Sequence, residues 1–204
     1  MALLTERDSR AWQALAAAIS NRVEPRLAPG VLANRSLLES SERRYFASQL
    51  RNARRAAATL ARESGAVVRT DVRAFYPSVT PHVAFRALVA LNVEAPVASR
   101  AAEMLEGWGS EGYAGLPIGP PGSAVVANAI LAPVDAALKT PHLRWVDDYL
   151  VGVEPERDVP AVLDRLDSAL EDVGLERSVP KTAILPGGIG LPWPGTYGRT
   201  GPSE

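Results

Sequence analysis

The chain contains no cysteine. That excludes disulfides, thiolate metal sites and cysteine nucleophiles. Histidine is almost missing as well: His82 and His142 are the only two, and both read as surface or helix-capping residues rather than ligands. Long hydrophobic runs are lacking. The longest, over residues 124–138, is broken by Asn128, Pro133 and Asp135 and is too short to span a bilayer. Glu6, Arg7 and Asp8 precede any apolar stretch, unlike a secretion signal, so a cytoplasmic protein without membrane association is expected. A large net charge is also absent: the balance is -1, which argues against a generic nucleic-acid coat. Lysine is scarce. Only Lys139 and Lys181 interrupt an otherwise all-arginine set of basic residues.

What remains is a globular composition, 47% hydrophobic and 22% charged over 204 residues, enough for one sizeable core or a domain with an appendage. The charge is unevenly spread. Arg22, Arg26, Arg35, Arg43, Arg44, Arg51, Arg54, Arg55 and Arg62 crowd the first third, against Glu24, Glu39 and Glu42. Such an excess is either an electrostatic footprint for phosphates or a solvated helix face.

Periodicity predicts helices over 9–21 and 36–64, the second carrying arginines at steps of three and four and stopping at Gly65. A strand follows over 66–76, ended by Pro77 and Ser78, then helices over 80–92 and 97–107. An irregular Gly/Pro loop, "GYAGLPIGPPGS", leads into a helix of small and apolar residues that Pro133 should kink or split. "LRWV" and "YLVGV" read as two short strands, residues 158–173 as an amphipathic helix, "SVPKTAIL" as a short strand or turn, and the Gly/Pro-rich tail as irregular. There is no internal repeat. Strand, helices, hairpin, helix, strand is the order of an α+β domain with helices on one face of a small antiparallel sheet.

Asp147 and Asp148 stand side by side where the two short strands meet. Aspartate favours turns, so a plain β-turn is one reading. The other is chemical. Two carboxylates in an apolar frame repel and resist ionisation unless a divalent cation sits between them. Asp71, near the end of the preceding strand, offers a third. Oxygen donors without histidine or cysteine suit Mg²⁺ or Mn²⁺, and two such ions roughly 3.5–4 Å apart can activate a hydroxyl and stabilise a leaving oxygen.

From residue 66 to 185 the sequence resembles the reverse transcriptases. "DVRAFYPSV" (71–79), "GLPIGPPGSAVVAN" (115–128), "WVDDYL" (145–150) and "GLERSVPKTAI" (174–184) resemble four successive blocks of that family's palm, in the family's order. The resemblance implies a right-hand palm, a ferredoxin-like antiparallel sheet over residues 66–186. It also implies a reduced, arginine-rich helical fingers region over 1–65, a Gly/Pro-rich tail over 187–204, and no recognisable thumb.

It further implies roles at the matched positions. Asp71 and Asp147 would be the principal metal ligands, with Val72 beside them and Asp148 supporting. Arg73, Ala74, Phe75, Tyr76, Pro117, Ile118 and Gly119 would line the nucleotide. Within that set Phe75 packs toward the core and the Tyr76 ring leaves no room for a 2′-hydroxyl. Gly115, Leu116, Ser123 and Trp145 would meet template or primer, Gly119 and Gly122 allowing backbone to approach the substrate. Arg43, Arg44, Arg51, Arg54 and Arg55 would meet the triphosphate or nucleic acid. Lys181 would protonate departing pyrophosphate, a task for which arginine holds its proton too tightly.

The implied partners are dNTPs, an RNA or DNA template and primer, two Mg²⁺ or Mn²⁺ ions, and a partner protein, oligomer or structured RNA that replaces missing fingers and thumb functions. Ile118 stands where glutamine is frequent, and Trp145 where tyrosine is. The aliphatic residue resembles the bacterial defence-associated (abortive-infection and unknown groups) and diversity-generating reverse transcriptases, which implies antiphage defence or sequence diversification. Two rival expectations stand beside a templated polymerase: a non-catalytic palm that scaffolds nucleic acid or a partner protein, and a template-independent or protein-primed nucleotidyltransferase.

Overall fold

The computed structural model describes residues 4–33, 42–188 and 193–194, side chains at 42–47 and 121 excepted. Helix α1 (Glu6–Val23) starts at a Thr5 cap that accepts from the Asp8 amide, with Glu6 and Asp8 in its first turn. Helix α2 (Glu42–Glu63) stops before Gly65. Strand β1 (Ala66–Asp71) is followed by the single turn α3 (Phe75–Ser78), then α4 (Pro81–Ala90), α5 (Ala95–Ser110) and α6 (Pro121–Leu138). The hairpin β2 (His142–Trp145) and β3 (Asp148–Val153) comes next, then α7 (Val159–Asp172), a 3-10 turn (Val179–Lys181) and β4 (Ala183–Pro186).

The strands form one antiparallel sheet in the order β2-β3-β1-β4. Period-two alternation separates its faces. Ala66, Val68, Tyr149, Val151 and Val153 point back into a core shared with α1, α4, α5, α6 and α7. Val67, Leu150, Leu143 and Trp145 point forward and meet Ala53, Ala57, Leu60 and Ala61 of α2. The α+β architecture expected from sequence is present, with an addition. The helices are not all on one side, because α2 lies on the front face. Gly152 makes room for it: a Cβ there would come 2.4 Å from Ser64 Oγ and 2.9 Å from Leu60 Cδ1.

Two elements differ from expectation. Strand β1 ends at Asp71, not at residue 76. Its partner β3 begins at Asp148, so beyond Asp71 the neighbouring chain has turned away and offers no ladder. Ala74 enters the left-handed region at φ 43° and opens α3. Helix α6 runs unbroken through Pro133, packed against α1, α4 and α7; that packing outweighs the one hydrogen bond proline removes. Of the predicted 36–64 helix, residues 36–41 lie outside the described residues, as does most of the tail.

The N-terminal part is built into this core. Trp12, Ile19 and Val23 are buried with the helices behind the sheet. Residues 30–32 run beside β2, with the Arg144 amide donating to Gly30 O at 2.8 Å and the Leu32 amide to Arg144 O at 2.9 Å. Gly30 is required by space, since a Cβ would lie 2.1 Å from His142 O. Gly30→Ala is expected to destabilise the fold by about 2–3 kcal/mol, read as a lowered denaturation midpoint with an unchanged denaturant slope.

Candidate active site

The hairpin closes with two residues, Val146 and Asp147, between the paired Trp145 and Asp148. Val146 takes φ 59°, a region a β-branched residue enters only under strain, on the order of 1–3 kcal/mol. Its carbonyl accepts from Arg144 Nη1 at 2.8 Å. The turn lifts Asp147 to the end of the sheet, where its carbonyl accepts from the Val72 amide at 3.2 Å.

Register does the rest. Asp71 pairs directly with Asp148 across β1 and β3, so both side chains point to the front face. Lys181 arrives from the other side. The Val72–Arg177 bridge and the Thr70–Thr182 hydroxyl contact of 2.8 Å fasten its 3-10 turn, and Arg177 braces it, gripping Asp167 through two nitrogens and donating to Thr182 Oγ1 at 2.8 Å. Lys181 Nζ then donates to Asp71 Oδ1 at 2.8 Å.

The electrostatics are those of a site short of positive charge. Burial, and then the Asp71 charge, push Asp147 up to about 6. Burial, then Asp147 and Asp71, push Asp148 up to about 7, with Arg69 and Lys181 pulling the other way. Among the described residues, Asp148 Oδ1 is buried with no hydrogen-bond partner. The hydrogen bond to Asp71 raises the Lys181 pKa, so its ammonium keeps its proton.

The expectation of a ready-made metal pocket needs correction on one point. Among the described residues no three acidic or imidazole side chains converge in a metal-binding arrangement, and the Asp71 carboxylate is engaged by Lys181. The donors still fit a hard divalent cation: they are all oxygens, two resist ionisation because they are buried beside like charge, and one buried oxygen has no partner among the described residues.

The Gly/Pro loop lies against the turn after β1. Leu116 donates its amide to Tyr76 O at 2.8 Å. Gly115 takes φ 78°, and a Cβ there would stand 2.0 Å from that same carbonyl, so only glycine serves. The Tyr76 ring meets Phe75 edge-on, and its hydroxyl is pushed up to about 12 by burial and the nearby Asp147 charge. Phe75 is buried, and Ile118 is 62% exposed. Gly119, at φ 114°, faces open space. Trp145 sits across from Asp148 on the front face. Two residues expected at template or primer are not at a surface. Leu116 is buried in the core, and Ser123 is buried with its hydroxyl accepting from Trp12 Nε1 at 3.1 Å. Gly122 likewise abuts Trp12 and Ala16 rather than a groove.

Arg73 is exposed and paired with Glu176 at 2.9 Å. Arg51, Arg54 and Arg55 are exposed on the side of α2 opposite its packed alanines. The side chains of Arg43 and Arg44 lie outside the described residues. His82 is exposed, but His142 is not the surface or capping residue expected. It is half-buried on β2, with Nδ1 2.9 Å from Thr140 O.

The sequence reading missed Arg69, on the same face as Asp71 and two residues before it, whose charge reaches Asp148. It also missed Arg144, buried under the hairpin. The signal for both was present: an arginine within an otherwise apolar strand.

The family described as reverse transcriptase (RNA-dependent DNA polymerase) matches residues 3–190. No curated protein matches the chain significantly.

A pH dependence follows. Both raised carboxylates bind protons more tightly folded than unfolded, where aspartate titrates near ~3.9. Their contribution therefore favours the fold at low pH and is lost as pH rises through about 6 and about 7. Asp148→Asn should gain stability relative to the unaltered chain between pH 5 and pH 8, measured by thermal melts without divalent ions. A flat difference would mean that Asp148 ionises freely.

Proposed function

Because the chain belongs to the reverse transcriptase family, matched over residues 3–190, we propose that this nucleotidyltransferase domain is a DNA polymerase adding deoxynucleotides to a 3′-hydroxyl by two-metal phosphoryl transfer. The observation that carries the reading is the Asp71–Asp148 register, with Asp147 on the adjoining turn and Lys181 at hydrogen-bond distance from Asp71. Asp148 Oδ1, buried beside these groups with no hydrogen-bond partner among the described residues, supports the same reading.

Asp71, Asp147 and Asp148, with the Val72 carbonyl, are the residues to hold Mg²⁺ or Mn²⁺. Two such ions supply Lewis-acid polarisation and offset the charge that develops on the triphosphate. The chain's own groups do the remaining work. Lys181, a half-exposed ammonium, donates its Nζ proton to the departing pyrophosphate. Tyr76, fixed by Phe75 and by the loop amide on its carbonyl, is a rigid wall against a 2′-hydroxyl. Ala74, with backbone at φ 43°, and Arg73 border the same nucleotide. Gly115, Pro117, Ile118 and Gly119 form the floor beneath the incoming base, and Trp145 supports the primer end. The outward arginines of α2, Arg51, Arg54 and Arg55, neutralise nucleic-acid phosphates. Exposed Val179 and Ile184 flank Lys181, an apolar ledge suited to a partner protein, second copy or structured RNA that steadies the duplex. The setting that fits Ile118 is antiphage defence.

The Lys181–Asp71 pair favours a second reading. A lysine that neutralises the first carboxylate permanently leaves a palm that scaffolds without catalysis. Labelled dNTPs with Mg²⁺ and a primed template separate the two. Asp147→Asn should abolish incorporation, a loss of at least about a thousandfold; incorporation that survives the change removes the site assignment, and none from the unaltered chain favours the scaffold. Tyr76→Ala should raise ribonucleotide use relative to deoxynucleotide use, read as a ratio of kcat/KM values, and an unchanged ratio removes the gate role.

A further inference from the structure

Behind the hairpin lies a polar cluster that the proposed chemistry does not use. Arg144 is fully buried. Its Nε and Nη2 grip both oxygens of Asp135 on α6 at 2.8–3.1 Å. Its Nη1 donates to Asn128 Oδ1 at 2.9 Å and to the Val146 carbonyl at 2.8 Å. Tyr149 donates its hydroxyl to Asp135 at 3.0 Å. Asn128 turns its amide the other way, to Ala33 O at 3.3 Å.

We propose that Arg144 is a positioning residue for the acidic site: it fixes Asp147 by holding the carbonyl of Val146, and Asp135, Asn128 and Tyr149 hold Arg144 in place for that purpose. The inference rests on the reading of Asp147 as a cation ligand. Three observations carry it.

A buried ion pair seldom stabilises a fold more than apolar side chains of equal volume, so core cohesion alone does not account for a guanidinium here. What apolar side chains cannot do is bond the carbonyl of a turn. That turn is the one place in the hairpin where the backbone is strained, with Val146 at φ 59°, and a strained conformation persists only where its surroundings over-determine it. The geometry also demands arginine. One flat fork reaches a carboxylate, an amide oxygen and a backbone carbonyl in three directions; a lysine ammonium at the end of a flexible stem cannot span them. Asp147 follows Val146 directly, so a rotation of the Val146 peptide swings the Asp147 carboxylate away from Asp71 and Asp148.

The test uses two variants and Mn²⁺ as the probe, bound ion being counted by loss of the free-ion paramagnetic resonance signal. Arg144→Lys keeps the charge opposite Asp135. The triple variant Asp135→Leu, Arg144→Met and Tyr149→Phe replaces the buried pair by apolar side chains and leaves no charge stranded, so it tests the proposal even if Arg144→Lys does not fold. Cooperative unfolding near the unaltered melting temperature should accompany Mn²⁺ binding weakened about 10–100-fold, with kcat lowered while KM for dNTP stays within about threefold. A triple variant that binds Mn²⁺ as tightly as the unaltered chain, while Asp147→Asn does not, overturns the positioning role and leaves the polymerase reading intact. If Asp147→Asn binds as tightly as the unaltered chain, or the unaltered chain takes up no Mn²⁺, the reading and the proposal fall together.

Discussion

The pairing of β1 with β3 is the constraint on which the rest depends. A slip by one residue would turn every side chain of one strand to the other face, sending Asp71 or Asp148 into the apolar core. Apolar residues forbid it. Val67 and Leu150 must meet α2 in front, while Ala66, Val68, Tyr149 and Val151 must meet the helices behind. Like charges directly opposite one another destabilise a sheet, yet these two acids stand at the end of a ladder whose register other residues have already fixed. The apolar pattern over 66–68 and 149–153 therefore holds the carboxylates together against their own repulsion.

Two kinds of buried aspartate sit on opposite sides of β3. Asp135 is matched: a guanidinium and a phenol hydroxyl satisfy its oxygens. Asp148 has a buried oxygen with no partner among the described residues, and burial beside like charge raises its pKa together with that of Asp147. The sheet separates them, matched charge behind and unmatched charge in front. That division distinguishes an acid that organises the fold from acids the fold leaves without a full set of partners.

Local pattern carried much of this in the sequence. The hairpin was legible in outline because alternation is a short-range feature, although its turn is Val146 and Asp147, with Asp148 already in β3, rather than the Asp pair itself. The acids were legible because Asp147 and Asp148 break an apolar run, and Lys181 because arginine is written nearly everywhere else. What could not be read depends on distant partners. β1 ends at Asp71 because β3 starts at Asp148, 77 positions later in the chain. α6 survives Pro133 because other helices surround it. Ser123 looked like a groove residue until Trp12, separated from it by 111 positions, claimed its hydroxyl. The arginines of α2 repeat visibly, but which side of the helix packs was decided by Gly152 and the alanines it faces.

The placement of α1 has a consequence for biosynthesis. Its apolar side, with Trp12, Ile19 and Val23, is buried by a core to which α6 contributes centrally, and α6 begins only at Pro121. During translation the helix leaves the ribosome about a hundred residues ahead of its cover, several seconds at ordinary elongation rates. For that interval the nascent chain presents a greasy stripe to the cell, and α6 must emerge before it is shielded.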